Sequence, residues 1–484
     1  MKAFYTLGFY IFLFNIVNGQ VQIGQDLVGF LDDDNFGYSV SMSDNGERVA
    51  IGAPEDFWQT KAGYVQVFEK KETEWIQLGS NITGELPFLN AGGSVAISGD
   101  GNRLILGAFQ TGVPNKSGEV RVYEYDGNDW IQLGQGLGEI EASEYVGVKV
   151  AISNTGDVIA YTTSEILAAD KYSGYVDVYE LIDDQWVKRG DTFNTQKNYD
   201  YYGWAMDLSA DGSRIAISAS QDLLPSTAPS EAFVHILEYD GERWNQLGDH
   251  ISASDSNDQD IYGDHISFSG DGSRIIIASS TIGIEIITEI ETYDFIDDKW
   301  KRVGENLILN LLLDELSISK DGNHFIIGNK IGESGEGDIT KFRRVENEWE
   351  GQGEIVQGDQ EQDFFGRSVD ISNDGSKVVV GAHVNDGLRR GYARVYDFNI
   401  MTSTEDVEEN SFLVYPNPAR DQLVFKIPNG TLEYIRVFDM HGKVKLKKRL
   451  PPNGSLDISD LTEGMYFIET GIDGKRYTAR FMKM

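Results

Sequence analysis

Cysteine is absent from all 484 residues. Disulfides, thiolate metal sites and thiol nucleophiles are therefore excluded, and stability must come from packing. Histidine is scarce: His235, His250, His265, His324, His383 and His441 form no short-spaced ligand pair of the kind that holds zinc. No serine sits in a nucleophile-elbow motif. The glycine-rich segments read as turns between strands, which excludes a phosphate loop, since that needs a strand running into a helix. Long apolar runs are also missing beyond the N-terminus. The nearest, LILNLLLDELSIS, is interrupted by Asn310, Asp314 and Glu315. Basic charge is in short supply, with 41 Lys+Arg against 78 Asp+Glu and a net charge of −37. Residues 403–484 carry equal numbers of both signs, so the acidic excess lies upstream of them. Such a surface repels nucleic acid and anionic lipid, and suits cations, basic partners or neutral glycans.

Residues 1–19 have the form of a secretory signal. Lys2 supplies the positive start, residues 7–17 are apolar, and Val17 and Gly19 are small enough for cleavage before Gln20. The apolar run is short of a full span, so no transmembrane segment is expected once the signal is removed. The remaining length exceeds one ordinary hydrophobic core, and more than one domain follows.

The dominant feature is self-similarity. Residues 37–79 read GYSVSMSDNGERVAIGA, a loop, then GYVQVFEKKETEWIQLG. The plan recurs at Gly46, Gly101, Gly156, Gly212, Gly272, Gly322 and Gly375, in steps of 55, 55, 56, 60, 50 and 53 residues. Each copy holds four short runs rich in Val, Ile, Leu and Tyr, joined at glycine turns such as Gly99-Asp100-Gly101-Asn102, so each reads as a four-stranded antiparallel meander. A period near fifty with a recurring tryptophan (Trp75, Trp130, Trp186, Trp244, Trp300 and Trp349) is that of a β-propeller blade, with the tryptophans packing between blades. Seven turns face only six tryptophan strands, and the missing one is at the start: residues 21–29 (VQIGQDLVG) match residues 75–84 (WIQLGSNITG). The expected fold is therefore all-β: a seven-bladed β-propeller over residues 20–398, closed by its N-terminal strand pairing with residues 392–398. The glycine after a bulky residue (Phe36-Gly37, Tyr202-Gly203, Phe365-Gly366) is expected to permit close backbone approach. Copies 5 and 6 drift furthest from the pattern.

Residues 399–411 are polar and unrepeated, and read as a linker. Residues 412–484 contain seven short strand-like runs, expected to form a small β-sandwich. Three ordered motifs mark this tail: Tyr415-Pro416-Asn417-Pro418-Ala419, then Val437-Phe438-Asp439-Met440-His441-Gly442-Lys443, then the stretch through Gly464-Met465-Tyr466-Phe467, with Lys483 near the end. The tail resembles the C-terminal sorting domain of type IX secretion cargo in Bacteroidetes. The resemblance makes Pro416, Asn417, Pro418, Gly442, Gly464 and Lys483 the sorting-motif residues. It implies export through the type IX machinery to the outer surface or the medium. More loosely, Phe36-Gly37 followed by Gly52-Ala53-Pro54 resembles the FG-GAP repeats of integrin α-subunit heads. Calcium-binding members of that family carry several alternating aspartates between the first two strands. Ser43-Asp44-Asn45-Gly46 offers too few carboxylates for a calcium cage, so no cofactor is expected.

In a meander the 2–3 and 4–1 connections emerge on one face, and here they are the long ones. Loops on a rigid scaffold carry recognition, so this face is the expected binding surface for an extracellular protein or glycan. Its 4–1 loops hold Asp32, Asp33 and Asp34; Tyr199, Asp200 and Tyr201; Asp255, Asp258 and Asp260; and Asp359, Glu361 and Asp363. Its 2–3 loops add Phe57, Trp58, Lys171, Tyr172, His383, Arg389 and Arg390. Trp58 is the strongest single candidate. Carboxylates with exposed aromatics suit a sugar or a cationic segment. The alternatives are a polysaccharide-active enzyme, which needs only two well-placed carboxylates, and a structural surface component.

Overall fold

The computed structural model describes residues 20–32, 34–54, 62–85, 90–109, 118–138, 144–167, 171–194, 202–219, 232–252, 260–282, 286–332, 335–384, 389–398, 413–415, 419–426, 432–439, 444–448, 455–462, 464–472 and 475–484. The expected signal (residues 1–19) and linker (399–411) lie outside them. The chain divides into two compact units, Met1–Asn399 and Ile400–Met484.

Among the described residues the first unit holds seven antiparallel sheets, one per repeat. In the first, Ser39–Met42, Arg48–Ala53, Tyr64–Lys71 and Glu74–Gln77 pair in chain order. The turn between the first two strands is fixed by its own side chains. In the fourth repeat Ser209 Oγ donates to Asp211 at 2.7 Å and accepts from Arg214 N at 2.9 Å, while Asp211 also accepts from Ser213 N at 2.9 Å. Gly212 completes this turn at φ 68°, a conformation disfavoured for residues with a Cβ. The outer strand is often split. After Gln77 the chain turns through Gly79 and returns to the same third strand at Ile82–Thr83.

The apolar cores lie between sheets. Val49, Ile51, Phe68 and Trp75 of the first repeat pack with Val379 and Val395 of the last, and Val65 and Val67 pack with Val95, Leu104 and Trp130 of the second. Each such aliphatic side chain contributes about 1.5–3 kcal/mol by leaving water. The tryptophans add a directed link to the preceding repeat: Trp75 Nε1 donates to Ile23 O at 2.9 Å, Trp130 to Leu78 O at 2.8 Å, and Trp186 to Leu133 O at 2.8 Å. The indole of Trp130 lies where a Cβ on Gly79 would come within 2.9 Å, so that glycine is required by packing as well as by its turn. Arginines staple the turns. Arg48, Arg214 and Arg274 each bond an acid of their own third strand and the carbonyl of the next repeat's turn glycine.

The N-terminal pairing expected from the repeat count is present. Val21 and Gln22 pair with Asp397 and Tyr396, and Leu27 and Val28 with Ala393 and Tyr392. The fold class nevertheless needs correction. Among the described residues no sheet is closed or strongly curled, against the expected closed seven-bladed propeller; the architecture is all-β, built of separate open antiparallel sheets. The physical reason lies at the inner edges. First-strand amides that would otherwise pair with another strand are taken by side chains of the preceding repeat. Met42 N donates to Asp370 at 2.7 Å, Ile97 N to Ser41 at 3.1 Å, Phe268 N to Asp207 at 2.7 Å and Val40 N to Ser368 at 3.0 Å. Backbone bonds between the turns add further links from repeat to repeat, among them Asp44 N to Gly99 O and Asn373 N to Asp44 O, both 2.9 Å.

Among the described residues the second unit has seven strands in two open sheets, one of three strands and one of four. Leu423, Ile435, Val437, Leu456, Ile458, Tyr466, Ile468 and Phe481 form its core. Ala419 N bonds Met482 O at 2.8 Å and Met484 N bonds Ala419 O at 2.9 Å, tying the start of the unit to its end.

Candidate functional site

The first strands of all seven sheets line one cavity of about 630 Å³. Each strand follows the repeat's entry step, a glycine in every repeat but the sixth, where Leu313 stands, and this sets a common register. Two positions after that glycine, the first, second and last repeats carry Ser39, Ser94 and Ser368. Ser39 Oγ donates to Gly92 O and Ser94 Oγ to Gly147 O, both at 2.7 Å, so this position normally joins neighbouring repeats. The fourth repeat has the buried Ala205 there. In the third, fifth and sixth repeats the same position holds Lys149, His265 and Glu315.

These three converge on the cavity. Lys149 Nζ lies 3.2 Å from Glu315 Oε2, and His265 Nδ1 lies 3.7 Å from Glu315 Oε1. His265 Nε2 is 3.9 Å from Asp264 Oδ2, and Asp264 Oδ1 accepts from Trp204 Nε1 at 2.9 Å. The Trp204 indole remains half exposed. Farther round, Asp314 accepts from Lys330 Nζ at 2.7 Å and lies 4.0 Å from Arg367, whose guanidinium donates to Tyr38 OH at 3.0 Å.

The electrostatics follow from these contacts. Burial opposes ionisation of Glu315, but the Lys149 charge and the His265 hydrogen bond outweigh it and hold the carboxyl well below the usual carboxylate range. Burial alone would depress His265, yet its bond to Glu315 and the charge of Asp264 lift it above the ordinary histidine value. His383, stacked on Phe364, is pushed down to about 3 by burial and by the charges of Arg367 and Lys330, and is neutral. Deeper in the cavity, burial raises Asp207 to about 6 and raises Asp370.

The loop residues expected to bind ligand fare differently. Asp34 and Asp363 are each 1% exposed. Asp34 accepts from Tyr64 OH and from Phe36 N at 3.1 Å; Asp363 accepts from Tyr392 OH at 2.9 Å and pairs with Arg389. They are equivalent positions doing equivalent work, fixing the strand entry rather than facing solvent. Asp32 is exposed and paired with Arg390 at 2.9 Å. Asp260 opens the first strand of the fifth repeat. Phe57, Trp58, Tyr199, Asp200, Tyr201 and Asp258 lie outside the described residues. Of the sorting residues, Gly464 and Lys483 are cross-strand partners, while Pro416, Asn417, Pro418 and Gly442 lie outside the described residues. Sequence reasoning missed Lys149, His265, Glu315 and Trp204. The entry glycines of the third, fourth and fifth repeats place Lys149, Trp204 and His265 in register, and the turn at Gly322 places Glu315 beside them.

Among the described residues no group of three or more His, Asp or Glu could hold a metal ion. No helix among them is long and apolar enough to cross a membrane.

Comparison with known families matches residues 413–484 to the secretion system C-terminal sorting domain and residues 349–396 to the FG-GAP repeat. No curated protein matches the chain. Similar solved structures include Kuenenia stuttgartiensis hydrazine synthase (13% identity, 75% of this chain and 95% of that one, TM-score 0.45). An oligogalacturonate lyase in complex with manganese matches at 10% identity over 79% of this chain and 99% of that one, with a TM-score of 0.49. A functionally unknown protein from Desulfotomaculum acetoxidans matches at 14% identity over 71% and 96%, with a TM-score of 0.42. The chain thus carries a type IX sorting domain behind an FG-GAP-like repeat region; it is a partner of the type IX secretion machinery and is secreted or displayed at the outer cell surface.

Proposed function

We propose that the mature chain is a binding module for an extracellular protein or glycan, and that the cavity where the first strands meet is its ligand site. One observation carries this reading: the register position that serves as a serine bridge in three repeats is replaced by Lys149, His265 and Glu315 where the strands face one another. Withdrawing charges from water is costly, and a serine already satisfies the structural role, so the charged set points to recognition. The test is a titration of full-length mature protein against purified glycans and extracellular proteins. Saturable binding weakened by Glu315→Gln supports the reading. Unchanged binding in that variant and in Lys149→Met would place the ligand elsewhere. A second reading, an enzyme acting on polysaccharide, draws on the two carboxylates of Asp264 and Glu315 flanking His265. Release of reducing ends from a polysaccharide panel, lost in Glu315→Gln, would favour it.

A further inference from the structure

Resting on the cavity as the binding site, we infer that its ligand is the uncharged end of a saccharide chain. The first argument is charge. Each carboxylate at this end faces a cation: Glu315 faces Lys149 and His265, Asp264 faces His265, and Asp314 faces Lys330 and Arg367. A charged ligand group would have to displace one member of a pair and strand the other in a partly desolvated cavity, which is strongly unfavourable. A hydroxyl group can do otherwise. It donates to a carboxylate lone pair that an ion pair leaves open and accepts from an ammonium or imidazolium proton, so it joins the network without dismantling it. This end of the cavity, lined by matched ions, therefore selects against net charge while offering many polar contacts; Asp207 and Asp370 elsewhere in the lining are engaged by backbone amides and serines.

The second argument is shape. Trp204 is 51% exposed although it lies in a strand and lines the cavity. Its indole N–H is held by Asp264, which fixes the plane of the ring. A fixed, half-exposed indole beside hydrogen-bonding carboxylates matches the two surfaces of a pyranose: an apolar face of C–H groups and a rim of hydroxyls. The cavity volume falls within the range of small-ligand pockets, which suits a chain end better than the middle of a long polymer.

The experiment uses the full mature chain, titrated calorimetrically and by tryptophan fluorescence. The probes are neutral cello-, chito- and manno-oligosaccharides, an oligouronate and a lysine-rich peptide. Trp204→Ala and Glu315→Gln are compared with the wild type, with thermal midpoints measured to confirm folding. The expected result is saturable binding of a neutral oligosaccharide, little changed between low and high salt, and weakened about tenfold or more by Trp204→Ala, the loss of roughly one stacking contact. Binding of the oligouronate or the peptide, weakened by Trp204→Ala, would overturn the saccharide-end inference while leaving the cavity as a binding site. Neutral oligosaccharide binding that neither variant alters would overturn the location. No binding by any of these probes would overturn the saccharide-end inference alone, since the proposed function also rests on the titration against extracellular proteins.

Discussion

Lys341 offers a sharp test of how the repeats are held together. It lies in the third strand of the sixth repeat, Asp338–Val345, and is 1% exposed. Its ammonium stands 4.9 Å from the centre of the Phe398 ring and has no hydrogen-bond partner among the described residues. Burial pulls its pKa from 10.5 down to about 8, and the attraction of Asp374, Asp397 and Asp321 does not restore it. Between those two values the unfolded chain binds the proton and the folded chain does not, so stability rises with pH across that window. The corresponding stability is fully present above 10.5 and is lost as pH falls through 8. The shift corresponds to about 3 kcal/mol. Lys341→Met keeps the stem, removes the charge and leaves a thioether against Phe398, a favourable contact. It should be more stable than the wild type at pH 7 by about 1–3 kcal/mol, the advantage shrinking toward pH 10. Tyr64, Tyr161 and Tyr262, whose hydroxyls burial pushes upward, destabilise both proteins equally above pH 10 and cancel in the difference. Urea denaturation followed by tryptophan fluorescence at pH 7, 8, 9 and 10 measures it. A methionine variant no more stable than the wild type at pH 7, or a difference independent of pH, would refute the reasoning.

Tyr64→Phe removes a donor to the buried Asp34 and the acceptor for Phe30 N, and should cost about 1–3 kcal/mol in chemical denaturation. Arg394→Ala breaks the bridge to both oxygens of Asp26 and to Asp359 that fastens the N-terminal segment to the last repeat. Because both acids are partly exposed, the expected loss is about 1–3 kcal/mol. Proteolysis within the segment containing residues 20–28 should quicken in proportion. For Asp207, burial lifts the folded pKa from 3.8 to about 6. The folded state then holds the extra proton, and stability falls as pH rises through that window. Asp207→Asn should flatten the slope between pH 4 and 6, read from denaturation midpoints.

Much of the fold was legible because the repeat constrains every copy at once. The turn glycines, the tryptophans and the surplus outer strand at residues 21–29 each recur or complete a count, and the structure pairs that segment with the last third strand. The open sheets were not legible. Ser41, Asp207, Ser368 and Asp370 look like ordinary polar strand positions, and only the structure shows them taking the amides that another strand would otherwise use. Asp34 and Asp363 belong to acid-rich loops of the expected binding face, yet both are buried. The better signal was their fixed place three residues before the strand-entry glycine, matched by Tyr64 and Tyr392 at the start of the third strand. The candidate site is not legible from loop composition, because Lys149, His265 and Glu315 stand in strands.

Those three residues also show how a repeat array can acquire a site without losing its fold. At the same position three other repeats carry a bridging serine and the fourth an alanine, and the charges answer one another: one carboxylate between an amine and an imidazole. Reverting Glu315 alone leaves Lys149 and His265 without their shared counter-ion, whereas reverting all three removes that set together. Glu315→Ser alone should therefore cost about 1–3 kcal/mol, tempered by the partial exposure of Lys149, because it leaves the amine and the imidazole facing each other. The triple variant Lys149→Ser, His265→Ser, Glu315→Ser should recover most of that loss while abolishing ligand binding at the cavity. Denaturation midpoints for the single and triple variants decide it. If the triple variant is destabilised by the sum of three independent losses, the charges are not a compensating set, and the argument that they arose for recognition on a scaffold indifferent to them fails.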